Sequence, residues 1–123
     1  MSLLLDTHAL LWLLAGDPRV EGARVAIEGA RTPVLVSAVC LWEAAIKSAL
    51  GKLRVPDDLP DRLDAFAFER LPVTDVHAWA VRKLPPVHND PFDRLLVAQA
   101  VCEQATIVSA DPTFDRYQVS RIW

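Results

Sequence analysis

Short uninterrupted apolar runs alternate along the chain with longer stretches of helical periodicity. Ser2-Leu3-Leu4-Leu5 is the first run and ends at Asp6; an apolar helical stretch follows from His8 to Ala15, closed by Gly16-Asp17-Pro18. Val34-Leu35-Val36 leads into Ser37 and a helical segment from Ala38 to Leu50, stopped by Gly51. Leu71-Pro72-Val73 is a weaker strand candidate. Helical periodicity returns at Pro91 and runs to about Gln104, with Leu95, Leu96, Ala98, Val101 and Cys102 marking its apolar side. Ala105 to Ser109 is the clearest strand, Asp111-Pro112 opens a helix or turn, and Tyr117 to Ile122 reads as an edge strand. The stretches from Pro56 to Pro60 and from Lys83 to Asp90 read as loops. Continuous apolar strands between amphipathic helices predict a mainly parallel sheet covered on both faces, an α/β sandwich forming one domain over residues 1–123.

Composition narrows the class. With 52% hydrophobic and 24% charged residues in 123, the chain is not disordered and has room for one core. The longest apolar run, Ala9 to Ala15, is far short of the ~20 residues that span a bilayer. No basic segment precedes the first apolar residues, so no signal peptide is expected. Cys40 and Cys102 lie in apolar surroundings without metal-ligand spacing and read as small buried hydrophobes in a reduced, cytoplasmic setting. A net charge of −3 argues against coating nucleic acid by bulk charge, and it raises the question of where the carboxylates sit.

Several of them sit where strands end. Open α/β sheets bind ligands beyond the carboxyl ends of their strands. Asp6 follows the first strand directly and Asp111 follows the strand ending at Ser109. Asp90 and Asp93 open a helix three positions apart, on one face. Each aspartate also has a plain structural account. Asp90 before Pro91 and Asp111 before Pro112 are N-cap signatures, Asp93 would face the helix dipole, and Asp6 could cap its own helix. Glu43 resists that account, because Val39, Ile46 and Leu50 place it on an apolar stripe. Either Lys47, one turn on, neutralises it, or it joins the aspartates at the sheet margin.

An oxygen-only donor set suits Mg²⁺ or Mn²⁺ rather than Zn²⁺. Clustered carboxylates repel, so without a cation some should take up protons. The chemistry that uses such a site is typically phosphodiester hydrolysis.

The segments LLLDTHALLW, SAVCLWEAAIKSALGKL, HNDPFDRLLVAQA and TIVSADPTFDRY, in this order and spacing, resemble a PIN domain, specifically a VapC-type toxin ribonuclease of a bacterial toxin–antitoxin pair. The resemblance covers nearly the whole chain. It implies a three-layer α/β/α sandwich and a Mg²⁺- or Mn²⁺-dependent endoribonuclease. The family's acids fall on Asp6, Glu43, Asp93 and Asp111, with Asp6 and Asp93 as principal metal ligands. Glu43 and Asp111 would serve a second metal, the attacking water or an outer role, and Asp90 belongs to the DPFDR form of the motif. Thr7, Ser109 and Arg94 are the expected substrate contacts. Ala110 stands where the family usually has asparagine and cannot replace an amide. The resemblance further implies an RNA substrate, a cognate antitoxin (VapB-like), a homodimer, and operator DNA bound only through the antitoxin.

Trp12, Trp42, Trp79 and Trp123 are candidates for partner surfaces, with core packing expected for at least two of them. His8 and His88 offer a competing chemistry, a metal-free ribonuclease with a general acid and base, but that leaves the carboxylates without a purpose. A catalytically silent PIN fold and a receiver-like phosphoacceptor domain are the other readings. The latter lacks its acidic pair after the first strand, since Asp6 is followed by Thr7 and His8. Once five acids gather at one site, the rest of the chain holds more basic than acidic residues, and the net charge no longer excludes a nucleic-acid substrate.

Overall fold

In the computed structural model, which describes residues 2–123, the apolar runs become the inner strands of a five-stranded sheet. The strands are β1 (Leu3–Leu5), β2 (Val34–Ser37), β3 (Glu69–Leu71), β4 (Thr106–Val108) and β5 (Arg121–Ile122). They lie in the order β3-β2-β1-β4-β5, and every pairing is parallel. Leu3 stands against Val34 on one side and Thr106 on the other. Strands β2 and β4 are buried at every position, as a sheet covered on both faces requires.

Parallel neighbours need crossovers, and among the described residues six α-helices supply those up to β4: α1 (Thr7–Ala15), α2 (Glu21–Glu28), α3 (Ala38–Ala49), α4 (Leu59–Leu63), α5 (Asp75–Ala80) and α6 (Pro91–Glu103). Strand β4 reaches β5 through a 3₁₀ helix at Pro112–Arg116. The result is the expected three-layer α/β/α sandwich. From β1 the chain builds β2 and β3 on one side, then returns to place β4 and β5 on the other. The strand order therefore reverses at β1, and a crevice opens there beyond the strand ends.

The differences from the sequence reading have local causes. The third strand ends at Leu71 instead of beginning there, because Pro72 has no N–H for the ladder. Its exposed Glu69 and Arg70 are tolerated on an edge strand. Within the expected loop from Pro56 to Pro60, Leu59 already opens α4 and is buried with Leu63. Helix α2 has no counterpart in the sequence reading because it buries only Ala23 and Ile27. Helix α5, which the sequence shows only as a helical stretch at His77 beside Trp79, buries His77 alone. Only Arg121–Ile122 of the last stretch is strand.

Helix α6 departs most from its predicted stripe. It buries five consecutive residues, Leu96 to Ala100, while Val101 is half exposed and Cys102 only partly buried. A helix enclosed on several sides shows no single apolar face. Its fully buried Gln99 accepts from Ser37 Oγ and donates to the Pro72 carbonyl, so its amide is satisfied without water.

None of the four tryptophans is fully buried; Trp12 alone packs against the core, and Trp42, Trp79 and Trp123 are exposed. Among the described residues no helix is long and apolar enough to cross a membrane.

Helix α1 ends on Gly16 at φ +65°, a left-handed cap. An added Cβ would meet nothing within 4 Å, so the penalty for a side chain here is purely backbone. Gly16→Ala should therefore cost about 1 kcal/mol, read as a lower urea midpoint with an unchanged slope.

Candidate active site

Asp6 is the first residue beyond β1, in the crevice where the strand order reverses. Its Oδ1 accepts from the Ala9 N–H at 2.8 Å and caps α1, while its Oδ2 accepts from Ser109 Oγ. Burial pushes its carboxyl above the usual range, and the bonds from Ser109 and Ala9 only partly offset this. Ser109, the residue after β4, also accepts from the Asp111 N–H at 3.0 Å. Asp111 in turn caps the single turn of 3₁₀ helix at Pro112–Arg116, accepting from the Thr113 N–H at 2.9 Å.

At the start of α6, Asp90 accepts from the Asp93 N–H at 3.0 Å. Asp93 Oδ2 lies 3.2 Å from His88 Nε2. Burial, with the charges of Asp90 and Glu43 adding to it, pushes the Asp93 carboxyl up to about 6 against the pull of His88. The expected protonation of clustered acids thus arises here mainly from desolvation, and repulsion comes second.

Glu43 is buried although Ile46 and Leu50 of its supposed stripe are exposed. Both accounts of it hold together. Lys47 Nζ lies 2.6 Å from Oε2, Thr7 Oγ1 donates to Oε1, and Glu43 still faces the aspartates. The Lys47 ammonium is raised above its ordinary value chiefly by that bond.

These elements converge on one cavity of about 170 Å³, lined by Asp6, Glu43, Asp90, Asp93 and Asp111 together with Thr7, His8 and Lys47. Capping and clustering are compatible, because a cap uses only part of a carboxylate's accepting capacity. A larger groove of about 620 Å³ runs beside Leu41, Leu53 and Leu59 but holds one carboxylate, Asp57, and no second. Thr7 and Ser109 are found holding Glu43 and Asp6. Arg94 lies outside the cavity lining and donates to the Pro85 carbonyl at 2.9 Å. Sequence reasoning missed the contact of His88 with Tyr117, which lies 29 positions away in a segment read as strand.

The donor chemistry fits a hard divalent cation. Five carboxylates and no thiol line the cavity, and two of them carry a desolvation penalty that a cation would relieve. In their present rotamers, no three His, Cys, Asp or Glu side chains among the described residues are close enough to share an ion.

A doubly covered parallel sheet, with acids gathered where its strand order reverses, defines an α/β domain built to bind ligand at its carboxyl edge. The PIN domain family model matches residues 3–119, and the chain belongs to that family. Its fold is shared with VapBC2 from Rickettsia felis, solved bound to a DNA fragment from the promoter, at 17% identity and a TM-score of 0.75 over 99% of this chain and 98% of that one. FitAcB from Neisseria gonorrhoeae is similar at 18% identity and a TM-score of 0.72, over 98% of this chain and 96% of the other. DNA-bound VapBC from Salmonella typhimurium follows at 16% and 0.70, over 99% and 97%. Among curated proteins none matches significantly.

Proposed function

We propose that this PIN domain is the toxin of a toxin–antitoxin pair and an endoribonuclease dependent on Mg²⁺ or Mn²⁺. The observation that carries the reading is the convergence of five carboxylates from four separate segments on one small cavity. Asp6 and Asp93 would hold the cation, with Glu43, Asp111 and Asp90 at its margin. When bound, a divalent cation lowers the pKa of water and stabilises charge on the scissile phosphate. The chain's own groups set the stage for that. Ser109 and the Ala9 N–H orient Asp6, and Thr7 and Lys47 orient Glu43. Among the described residues lining the cavity, Lys47 adds the only ammonium, placed to meet a phosphate.

The metal-free alternative has less support. His8 is exposed at the cavity, but His88 is engaged with Tyr117 and Asp93, so the two do not form an acid–base pair. The family assignment leaves no ground for the receiver-like reading.

The similar structures are toxin–antitoxin assemblies, two of those above bound to DNA, which supports a VapB-like antitoxin as partner and operator contact through that antitoxin. Exposed Trp42, Leu50, Val76 and Trp79 offer apolar surface for the antitoxin or for a second copy in a homodimer.

Incubating the protein with RNA and Mg²⁺ tests the reading. Cleavage should stop in excess EDTA and leave 5′-phosphate ends that a ligase accepts without prior phosphorylation. Cleavage that persists in EDTA would replace the metal with the histidine mechanism. A protein that binds its antitoxin and cuts no RNA would be the silent module.

A further inference from the structure

Behind Asp93 runs a chain of polar side chains whose hydrogens can be assigned. Arg94 Nη1 lies 3.3 Å from the Tyr117 hydroxyl, that hydroxyl 2.6 Å from His88 Nδ1, and His88 Nε2 3.2 Å from Asp93 Oδ2. An ionised carboxylate only accepts, so the ring hydrogen sits on Nε2, which donates to Asp93. In the neutral ring Nδ1 is then the acceptor, the Tyr117 hydroxyl donates to it, and the Tyr117 oxygen accepts from Arg94. The direction of the links follows from the Asp93 carboxylate at one end, with Arg94 as the donor at the other.

The chain is also firmly mounted. Tyr117 is buried, and its ring meets the His88 ring edge-on at 5.5 Å between centroids. Arg94 donates in addition to the Pro85 carbonyl at 2.9 Å, fastening the loop that carries His88 to the first turn of α6.

We propose that His88, oriented by Tyr117 and Arg94, is a positioning residue for Asp93 that fixes one carboxylate oxygen and leaves the other to serve as a cation ligand. The proposal rests on the reading of Asp93 as a metal ligand. An unheld carboxylate among like charges would turn away from Asp90 and Glu43, and a cation would then have to rebuild its own site. Removing a partner of this kind typically costs metal affinity or activity.

The test is a titration of the RNA-free protein with Mn²⁺, followed by electron paramagnetic resonance, beside the Mg²⁺ dependence of RNA cleavage. His88→Ala should raise the Mn²⁺ Kd about tenfold to a hundredfold. The Mg²⁺ concentration for half-maximal cleavage should rise in parallel, with far less change in the rate at saturating Mg²⁺. His88→Gln retains an N–H donor near the Nε2 position and should recover most of the affinity. Unchanged Mn²⁺ binding by His88→Ala overturns the proposal, and so does equal loss in His88→Ala and His88→Gln. If His88→Ala does not fold, Tyr117→Phe carries the test. It frees the ring tautomer and should weaken Mn²⁺ binding several-fold, and unchanged binding again overturns the proposal. A wild-type protein that binds no Mn²⁺ overturns the metal reading beneath it, a result distinct from any difference between variants.

Discussion

Replacing Asp6 or Asp93 with asparagine is expected to lower RNA cleavage by about three orders of magnitude, the scale of losing a group that stabilises transition-state charge. Asparagine nearly matches aspartate in shape, so the loss should come from the missing anion rather than from the fold. At position 6 the amide oxygen can still accept from the Ala9 N–H, and the Ser109 hydroxyl can turn to accept from the amide nitrogen. At position 93 the amide oxygen can still accept from His88. Single-turnover cleavage with excess protein, beside thermal melts of both variants, separates chemistry from folding. An Asp93→Asn protein that cuts at the wild-type rate would remove Asp93 from the proposed machinery.

The second large effect runs the other way, towards stability. Burial holds the Asp93 carboxyl up to about 6 in the folded protein, well above the ordinary aspartate range. The native state therefore binds the carboxyl proton more tightly than the unfolded chain. The associated stability is fully present at low pH and is lost as pH rises through about 6. Two pKa units correspond to ~3 kcal/mol. The side chain is 23% exposed, so solvent screening reduces this to about 1–2 kcal/mol. In EDTA, Asp93→Asn should be more stable than wild type by that amount near neutrality and equal to it below about pH 4. Saturating Mg²⁺ should narrow the difference, because a ligand of the native state stabilises it. Parallel urea titrations across pH decide the matter. A variant whose stability advantage over wild type is no larger at neutral pH than at low pH would show that Asp93 carries no desolvation penalty.

The pattern of the chain made β1, β2, β4, α1, α3 and α6 legible, because each carries either a continuous apolar run or a long helical period. Helix α2 was not legible, since two buried residues do not make a period, and α5 was legible only as a helical stretch at His77 beside Trp79. The aspartates of the candidate site were legible because each follows a strand or opens a helix, positions where topology alone sends side chains to one edge. Glu43 stood out instead as a carboxylate on an apolar stripe inside its helix. Lys47 was legible as the residue one turn from Glu43. Gln99 was hidden, because a polar residue inside an apolar stretch gives no sign of its partners, and these lie far off at Ser37 and Pro72. The hydroxyls of Thr7 and Ser109 look like substrate contacts in one dimension. Only the fold shows Glu43 and Asp6 already taking their hydrogens.

The bond between Ser109 and Asp6 joins residues 103 positions apart. A ribosome makes Asp6 103 residues before it reaches Ser109, and Asp111 later still. Until then β1 lacks its neighbour β4, the Asp6 carboxylate lacks its hydroxyl, and Asp111 does not exist. Translation thus delays assembly of the acidic site until β4 and Asp111 have been made. A prematurely terminated product ending before β4 would carry Asp6, Glu43 and Asp93 without the strand that sets them. Chain order alone thus keeps the candidate site from forming on a chain that still lacks β4.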